Sequence, residues 1–238
     1  MTNAASGTAL VSGASRGIGL EVARLLTSHG MRVAMLARSS EALKARAKEL
    51  GALALPVQCD VADPAAVDAM AARVLREFGG PPDAIVNNAG LFKLATVART
   101  STEDFRAALD VNLVAPFLIV RAFLGAMQER KSGHVVTIGS IADRMTFPEN
   151  GAYAASKFGL RALHDVLRGE LRGSGVRATL VSPGPVDTPL WDEIDPDTRP
   201  GFTPRRAMLP ASAVAEAVWY ALSQPAAVNV DELRLSRS

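Results

Sequence analysis

The 238-residue sequence predicts an α/β fold, a doubly wound parallel sheet with helices on both faces. Three observations carry that prediction. Short runs rich in Val, Ile and Leu alternate with longer segments of helical period, the pattern of strands covered on both faces by crossover helices. Hydrophobic residues make up 48% of the chain and charged residues 21%, enough apolar surface for a substantial core without a disulfide or structural metal. The first apolar run ends in a glycine-containing turn that opens a helix.

Taken in order, the first strand falls at Thr8–Ser12, and the helix after the turn spans Arg16–His29, with Gly30 as its left-handed cap. Arg32–Ala37 is the second strand and Ala52–Gln58 the third. Asp63–Phe78 is the clearest helix: Asp63 is the N-cap, Pro64 takes the first position, and Val67, Met70, Ala71, Val74, Leu75 and Phe78 form one apolar face. Strands follow at Ala84–Asn87, Gly133–Ile138, Arg177–Ser182 and Glu232–Leu235, with long helices at Thr102–Arg130 and Ala152–Ser174. Asp187–Met208 mixes four Pro with charges of both signs and has no period, so residues 187–208 read as a substrate loop within a single domain covering residues 1–238.

Lys plus Arg number 26 against 24 for Asp plus Glu, and the basic residues are scattered, so no nucleic-acid footprint is present. Apolar runs such as Leu113–Val120 fall short of the roughly twenty residues of a membrane span, and no membrane partner is expected. Cys59 is the single cysteine, and Met1–Gly13 lacks the basic start and long apolar stretch of a secretory signal; both point to the cytoplasm. His29, His134 and His164 lie far apart without ligand-like spacing, so no metal site is expected.

The turn after the first strand reads Ser12-Gly13-Ala14-Ser15-Arg16-Gly17-Ile18-Gly19. Glycines there let the backbone approach a pyrophosphate, whose charge the helix N-terminus attracts. The second strand ends Leu36-Ala37-Arg38 with no carboxylate for a ribose 2′-hydroxyl, while Arg38 and Arg16 offer guanidinium groups to a 2′-phosphate. Two exposed arginines would give the same pattern. Further on, Tyr153 and Lys157 stand four apart on one helix face, so the ammonium should lower the phenol pKa from about 10. Ser140, just beyond the fifth strand, lies at the sheet edge where ligands of parallel sheets bind and is placed to orient a carbonyl. A helical Tyr–Lys pair also occurs as a plain surface contact; the shared edge with the glycine turn favours the chemical reading.

This ordered set resembles the short-chain dehydrogenase/reductase family of the compact type over nearly the whole chain. Ser12–Gly19 matches the family's G-x-x-x-G-x-G cofactor turn, Asn87-Asn88-Ala89-Gly90 its sheet-stabilising motif, and Tyr153-Ala154-Ala155-Ser156-Lys157 its Tyr-x-x-x-Lys motif. Ser140 precedes the tyrosine by thirteen residues, as the family pattern asks. The resemblance implies a Rossmann-like fold and a catalytic set of Asn112, Ser140, Tyr153 and Lys157, with Asn112 holding a proton route to solvent. For the cofactor it implies contacts from Gly13, Ser15, Arg16, Gly17, Ile18, Gly19 and Arg38, from Asp60 and Val61 at the adenine, and from Asn88, Ala89 and Gly90. Tyr153, Lys157, Pro183, Gly184, Val186 and Thr188 would hold its nicotinamide half.

The expected activity is NADP(H)-dependent interconversion of a small-molecule carbonyl and a secondary alcohol, by a homo-oligomer whose corresponding helices pair as in tetrameric relatives. The chain resembles both carbonyl/alcohol reductases and 3-oxoacyl-carrier-protein reductases, although its ending, Val228–Leu235, lacks the glycine-rich segment of the latter. A dinucleotide-binding sensor is the alternative of a different class; such a protein is free to lose the tyrosine or serine, and this chain keeps both. Leu91, Phe92, Met145, Phe147, Leu190 and Trp191 are apolar candidates for the substrate pocket, with Lys93 and Arg144 the nearby cations.

Overall fold

The computed structural model describes residues 7–238; the start of the Met1–Gly13 stretch weighed above for a secretory signal lies outside them. Seven parallel strands form the central sheet in the order β3-β2-β1-β4-β5-β6-β9. They are β1 (Thr8–Ser12), β2 (Arg32–Ala37), β3 (Ala54–Gln58), β4 (Ala84–Asn87), β5 (Gly133–Ile138), β6 (Val176–Pro183) and β9 (Glu232–Leu235). The helices are α1 (Gly17–Ser28), α2 (Ser40–Leu50), α3 (Pro64–Phe78), α4 (Thr102–Leu109), α5 (Ala115–Arg130), α6 (Gly151–Glu170) and α7 (Ala211–Leu222). This is the doubly wound, Rossmann-like α/β architecture that the sequence predicts.

Alternation along each strand builds two core layers. In β1 the Leu10 side chain enters the layer shared with α3, α5 and α6, whereas Ala9 and Val11 enter the layer shared with α1, α2 and α7. Phe123, Ile119 and Met127 of α5 are fully or almost fully buried in the first layer, each contributing about 1.5–3 kcal/mol of transfer free energy. Asp63 caps α3 through Ala65 N at 3.0 Å, and Gly79 closes that helix in the left-handed conformation.

Two departures from the sequence reading have local causes. Thr102–Arg130 is interrupted at Asp110–Val114 by a π-helical turn, in which the Ala115 amide reaches back to Asp110 O. Pro116, separated from the turn by Ala115 alone, has no N–H to donate to a regular ladder, and the helix widens ahead of it. Counted end to end, this helix is long and apolar enough to cross a membrane, which the short apolar runs of the sequence hide, yet its Leu118, Ile119, Phe123 and Met127 are buried in the core of this fold. The helix expected at Ala152–Ser174 ends at Glu170, beyond which the backbone turns through Gly173 and Gly175, both at positive φ.

The loop at residues 187–208 is more ordered than its composition suggests. Two short strands, β7 (Val186–Asp187) and β8 (Leu209–Pro210), pair and pin its ends together. Its acids are not simply solvated, because the Arg205 guanidinium binds Asp187 at 2.9 Å and Asp192 at 2.6 Å, and its amide donates to Asp197.

The three histidines take separate roles: His29 stacks on Trp219, His134 meets Thr179 at 2.7 Å, and His164 meets Thr137 at 3.0 Å. Along α4, the π-helical turn, α5 and α6, Phe105, Val114, Phe117, Phe158 and Val166 stay exposed.

Candidate active site

The carboxyl ends of β1, β4, β5 and β6 bring the expected site segments to one edge of the sheet. Ser12, buried at the end of β1, accepts from Asn88 N at 2.9 Å and Ala89 N at 3.0 Å, and Asn88 Nδ2 donates back to Ser12 O at 2.9 Å. These bonds tie Asn88-Ala89-Gly90 against the glycine turn. The approach is close enough that a Cβ on Gly13, itself at φ +67°, would sit 2.9 Å from both Ala89 Cα and Asn88 Nδ2. Gly17, at φ +57°, faces the side chain of Thr188, so the Pro183–Thr188 segment meets the same turn.

Ser140 follows β5 and accepts from Ala142 N at 3.1 Å as the cap of a short helical turn. Tyr153 and Lys157 stand one turn apart near the start of α6, with Lys157 Nζ 5.7 Å from the tyrosine ring centroid and donating to Ile138 O at 2.9 Å. Asn112 sits in the π-helical turn, fully buried. Its amide group accepts from Leu91 N at 2.7 Å and donates to Leu91 O and to Ser156 Oγ, both at 2.9 Å. Ser156 in turn donates to Tyr153 O at 2.7 Å, so Asn112 is coupled to the Tyr-x-x-x-Lys turn as well as to the segment after Gly90.

The electrostatics differ from the expectation that the ammonium lowers the phenol pKa. Burial pushes the Tyr153 phenol up to about 12, against the opposing pull of the Ser140 hydroxyl, and the charge of Asp143 raises it further. Burial likewise pushes Lys157 down to about 8, partly offset by Asp143. Desolvation of the phenolate outweighs any help from the ammonium, and the pair rests with the phenol protonated.

Phe92 packs on Tyr153 with ring centroids 4.7 Å apart, Trp191 of the loop packs on Phe92 at 5.2 Å, and Phe202 meets Trp191 at 6.3 Å. An aromatic wall thus runs from the tyrosine into the loop. Met145 and Phe147 are exposed on the segment between Ser140 and Tyr153. Neither candidate cation is free: Lys93 binds Asp104 at 2.7 Å, and Arg144 binds Asp143 at 2.8 Å and also Glu232. Cys59 is buried and its thiol pushed up to about 11, chiefly by that burial, which leaves it unreactive.

The sequence profile of the short chain dehydrogenase family matches residues 7–199. The chain belongs to the short-chain dehydrogenase/reductase family. Among relatives of this family, an uncharacterised oxidoreductase of Staphylococcus epidermidis is 33% identical over 227 residues, covering 95% of each chain. A crystal structure of a metagenomic short-chain oxidoreductase in complex with NADP shares 32% identity at a TM-score of 0.84, covering 100% of both chains. Actinorhodin polyketide ketoreductase, solved as a variant with NADPH, shares 32% identity at a TM-score of 0.89 over 99% of this chain and 97% of its own. The protein is therefore an oxidoreductase of this family.

The residues present fit the nicotinamide dinucleotide those neighbours carry. The N-terminus of α1 has no side-chain cap and no acidic residue in its first turn, so its amide donors and positive dipole end stay available to a phosphate. Arg16, Arg38 and Asp60 are exposed, and Val61, next to Asp60 in sequence, is buried; among the described residues neither arginine forms an ion pair. Ser15, Ile18 and Gly19 line the start of α1, with Pro183, Gly184 and Val186 at the end of β6 and just beyond it.

Sequence reasoning missed Asp143, whose carboxylate lies directly beneath Ser140. The signal was present as Ser140-Ile141-Ala142-Asp143, the Ser-x-x-Asp spacing of a capping box.

Proposed function

We propose that this chain is an NADP(H)-dependent oxidoreductase that interconverts a carbonyl and a secondary alcohol, with Tyr153 as the proton donor and acceptor. The observation that carries the reading is the position of one protonated phenol, flanked by the Ser140 hydroxyl and the Lys157 ammonium, at the sheet edge that also bears the uncapped helix terminus. The bound nicotinamide supplies the hydride.

Ser140 holds the carbonyl oxygen and Tyr153 gives it a proton as negative charge develops, so the alkoxide never has to exist free. Lys157, fixed by its bond to Ile138 O, would hold the ribose of a bound nicotinamide and supports the phenol electrostatically. Asn112 keeps the lysine end of the site open to a proton route. Trp191 and Phe202 bring the loop at 187–208 over the substrate and exclude water. Following NADPH absorbance over a panel of ketones, aldehydes, alcohols and a 3-oxoacyl thioester is expected to find turnover with at least one carbonyl. Cofactor binding without turnover across the whole panel would instead favour a sensor.

The exposed apolar residues Phe105, Val114, Phe117, Phe158 and Val166 form the face through which copies of this chain pair, in a homo-oligomer proposed to be a tetramer. Light scattering of dilute protein is expected to give a multiple of the 25.0 kDa chain mass. A clean monomer would refute the pairing.

A further inference from the structure

A carboxylate sealed inside a protein is costly unless it is paired, and Asp143, whose side chain has no exposed surface, is paired on every side. Its Oδ2 accepts from Ser182 Oγ at 2.5 Å and from the Ser140 amide at 3.3 Å, and its Oδ1 accepts from Arg144 Nε at 2.8 Å with Arg161 Nη1 3.6 Å away. Room for it depends on Gly139, where a Cβ would stand 2.6 Å from Asp143 Oδ2 and 2.7 Å from Ser182 Oγ. Both arginines are shared with Glu232 of β9: Arg144 through Nη2, and Arg161 through Nη2 at 3.2 Å. Two cations and two anions thus form a neutral quartet. Asp143 is its fully buried anion and Glu232 its partly exposed one.

We propose that Asp143 is a positioning residue of this oxidoreductase: its carboxylate fixes Ser140 and places a negative charge behind Tyr153 and Lys157, with Glu232 and the two shared arginines setting the strength of that charge. The inference rests on the reading of Tyr153 as the acid. Burial is the main reason the phenol stays protonated; Asp143 adds to it by making the phenolate harder to form, and it opposes the pull of burial on the ammonium. The other charged groups around it are Asp165, which meets Arg161 and Arg168 at 3.8 Å, and Asp231, bound to Arg168 at 2.6 Å. His164, packed on the same helix, is kept neutral by burial, its pKa lowered to about 4.

The test reads Tyr153 directly. The chain has two tyrosines, and Tyr220 is exposed, so in a Tyr220→Phe background tyrosinate absorbance after a rapid pH jump reports Tyr153 alone, before any unfolding. Asp143→Asn is expected to lower the midpoint by roughly half a pH unit or more. Glu232→Gln should lower it by less, and Arg161→Gln, which leaves Asp143 less neutralised, should raise it. Loosened packing alone would move all the variants the same way, toward the ordinary tyrosine value; a common direction, or no movement, overturns the proposal. Glu232 and Arg161 are half-buried, so the opposed pair decides the matter even where Asp143→Asn does not fold. With the best carbonyl substrate, Asp143→Asn is expected to cut kcat about tenfold while the cofactor KM stays within about twofold. If no carbonyl is turned over by the unsubstituted protein, the acid reading of Tyr153 fails, and the absorbance titration still judges Asp143.

Discussion

Replacing Tyr153 with Phe is expected to cut carbonyl turnover by about 10²- to 10⁴-fold, the usual worth of a positioned general acid, with cofactor affinity and fold retained. The ring is held by Phe92, at 4.7 Å between centroids, and by its place in α6, and a phenylalanine preserves both. The substitution removes only the hydroxyl. Ser140 keeps its bond from Ala142 N, and Lys157 keeps Ile138 O, so neither neighbour depends on the phenol for its position. Steady-state rates paired with cofactor titrations separate chemistry from binding: a fall in kcat at unchanged cofactor Kd is the expected result. Near-normal turnover would remove Tyr153 from the role of acid. The pH dependence adds a second reading, because the phenol pKa is raised to about 12. Its donor form is complete at neutral pH and is lost only as pH rises through the folded value. Reduction therefore needs no alkaline activation, whereas alcohol oxidation, which starts from the phenolate, should gain as pH rises.

The fold was legible because buried parallel strands announce themselves. The runs at Thr8–Ser12, Arg32–Ala37, Ala84–Asn87 and Gly133–Ile138 have no other use for so many Val, Ile and Leu in so few residues, and the structure places strands at those bounds. The segments of the site were legible because glycine spacing and a Tyr–Lys pair four apart encode local backbone and helix geometry directly. What stayed hidden depends on partners far along the chain. The break in Thr102–Arg130 comes from the meeting of Pro116 with the need to seat Asn112 between Leu91 and Ser156, which no local pattern reveals. The direction of the phenol shift is not legible locally, because charge proximity can be guessed from i and i+4, whereas the burial of both groups cannot. Arg144, a cation near the expected substrate pocket, is occupied by Asp143 and by Glu232, 88 residues away, which no local pattern announces.

The cofactor preference gives the second large effect, and it is set at the end of β2. NADPH is expected to bind at least about tenfold more tightly than NADH, since one charge-assisted hydrogen bond to a 2′-phosphate contributes on the order of 1.5–3 kcal/mol. Ala37 ends the strand with no carboxylate to accept the ribose 2′-hydroxyl, and Ser39 is committed to capping α2 through Ala42 N. The Arg38 backbone is anchored by Gln58 Nε2 donating to its carbonyl at 3.1 Å, while its exposed guanidinium has no ion-pair partner among the described residues. Arg16, extended and exposed at the N-cap of α1, offers a second cation from the neighbouring turn. Replacing Ala37 with Asp and Arg38 with Gln exchanges a cation for an anion at this point, so NADPH should lose affinity through both changes and NADH should gain an acceptor for its 2′-hydroxyl. Dissociation constants of both cofactors for the unsubstituted protein and the double variant decide between two uses of Arg38. A guanidinium lying flat on the adenine serves both cofactors alike, so an unsubstituted ratio near one would show stacking and defeat the phosphate clamp, whereas a tenfold ratio that collapses or inverts in the double variant places the 2′-phosphate at Arg38.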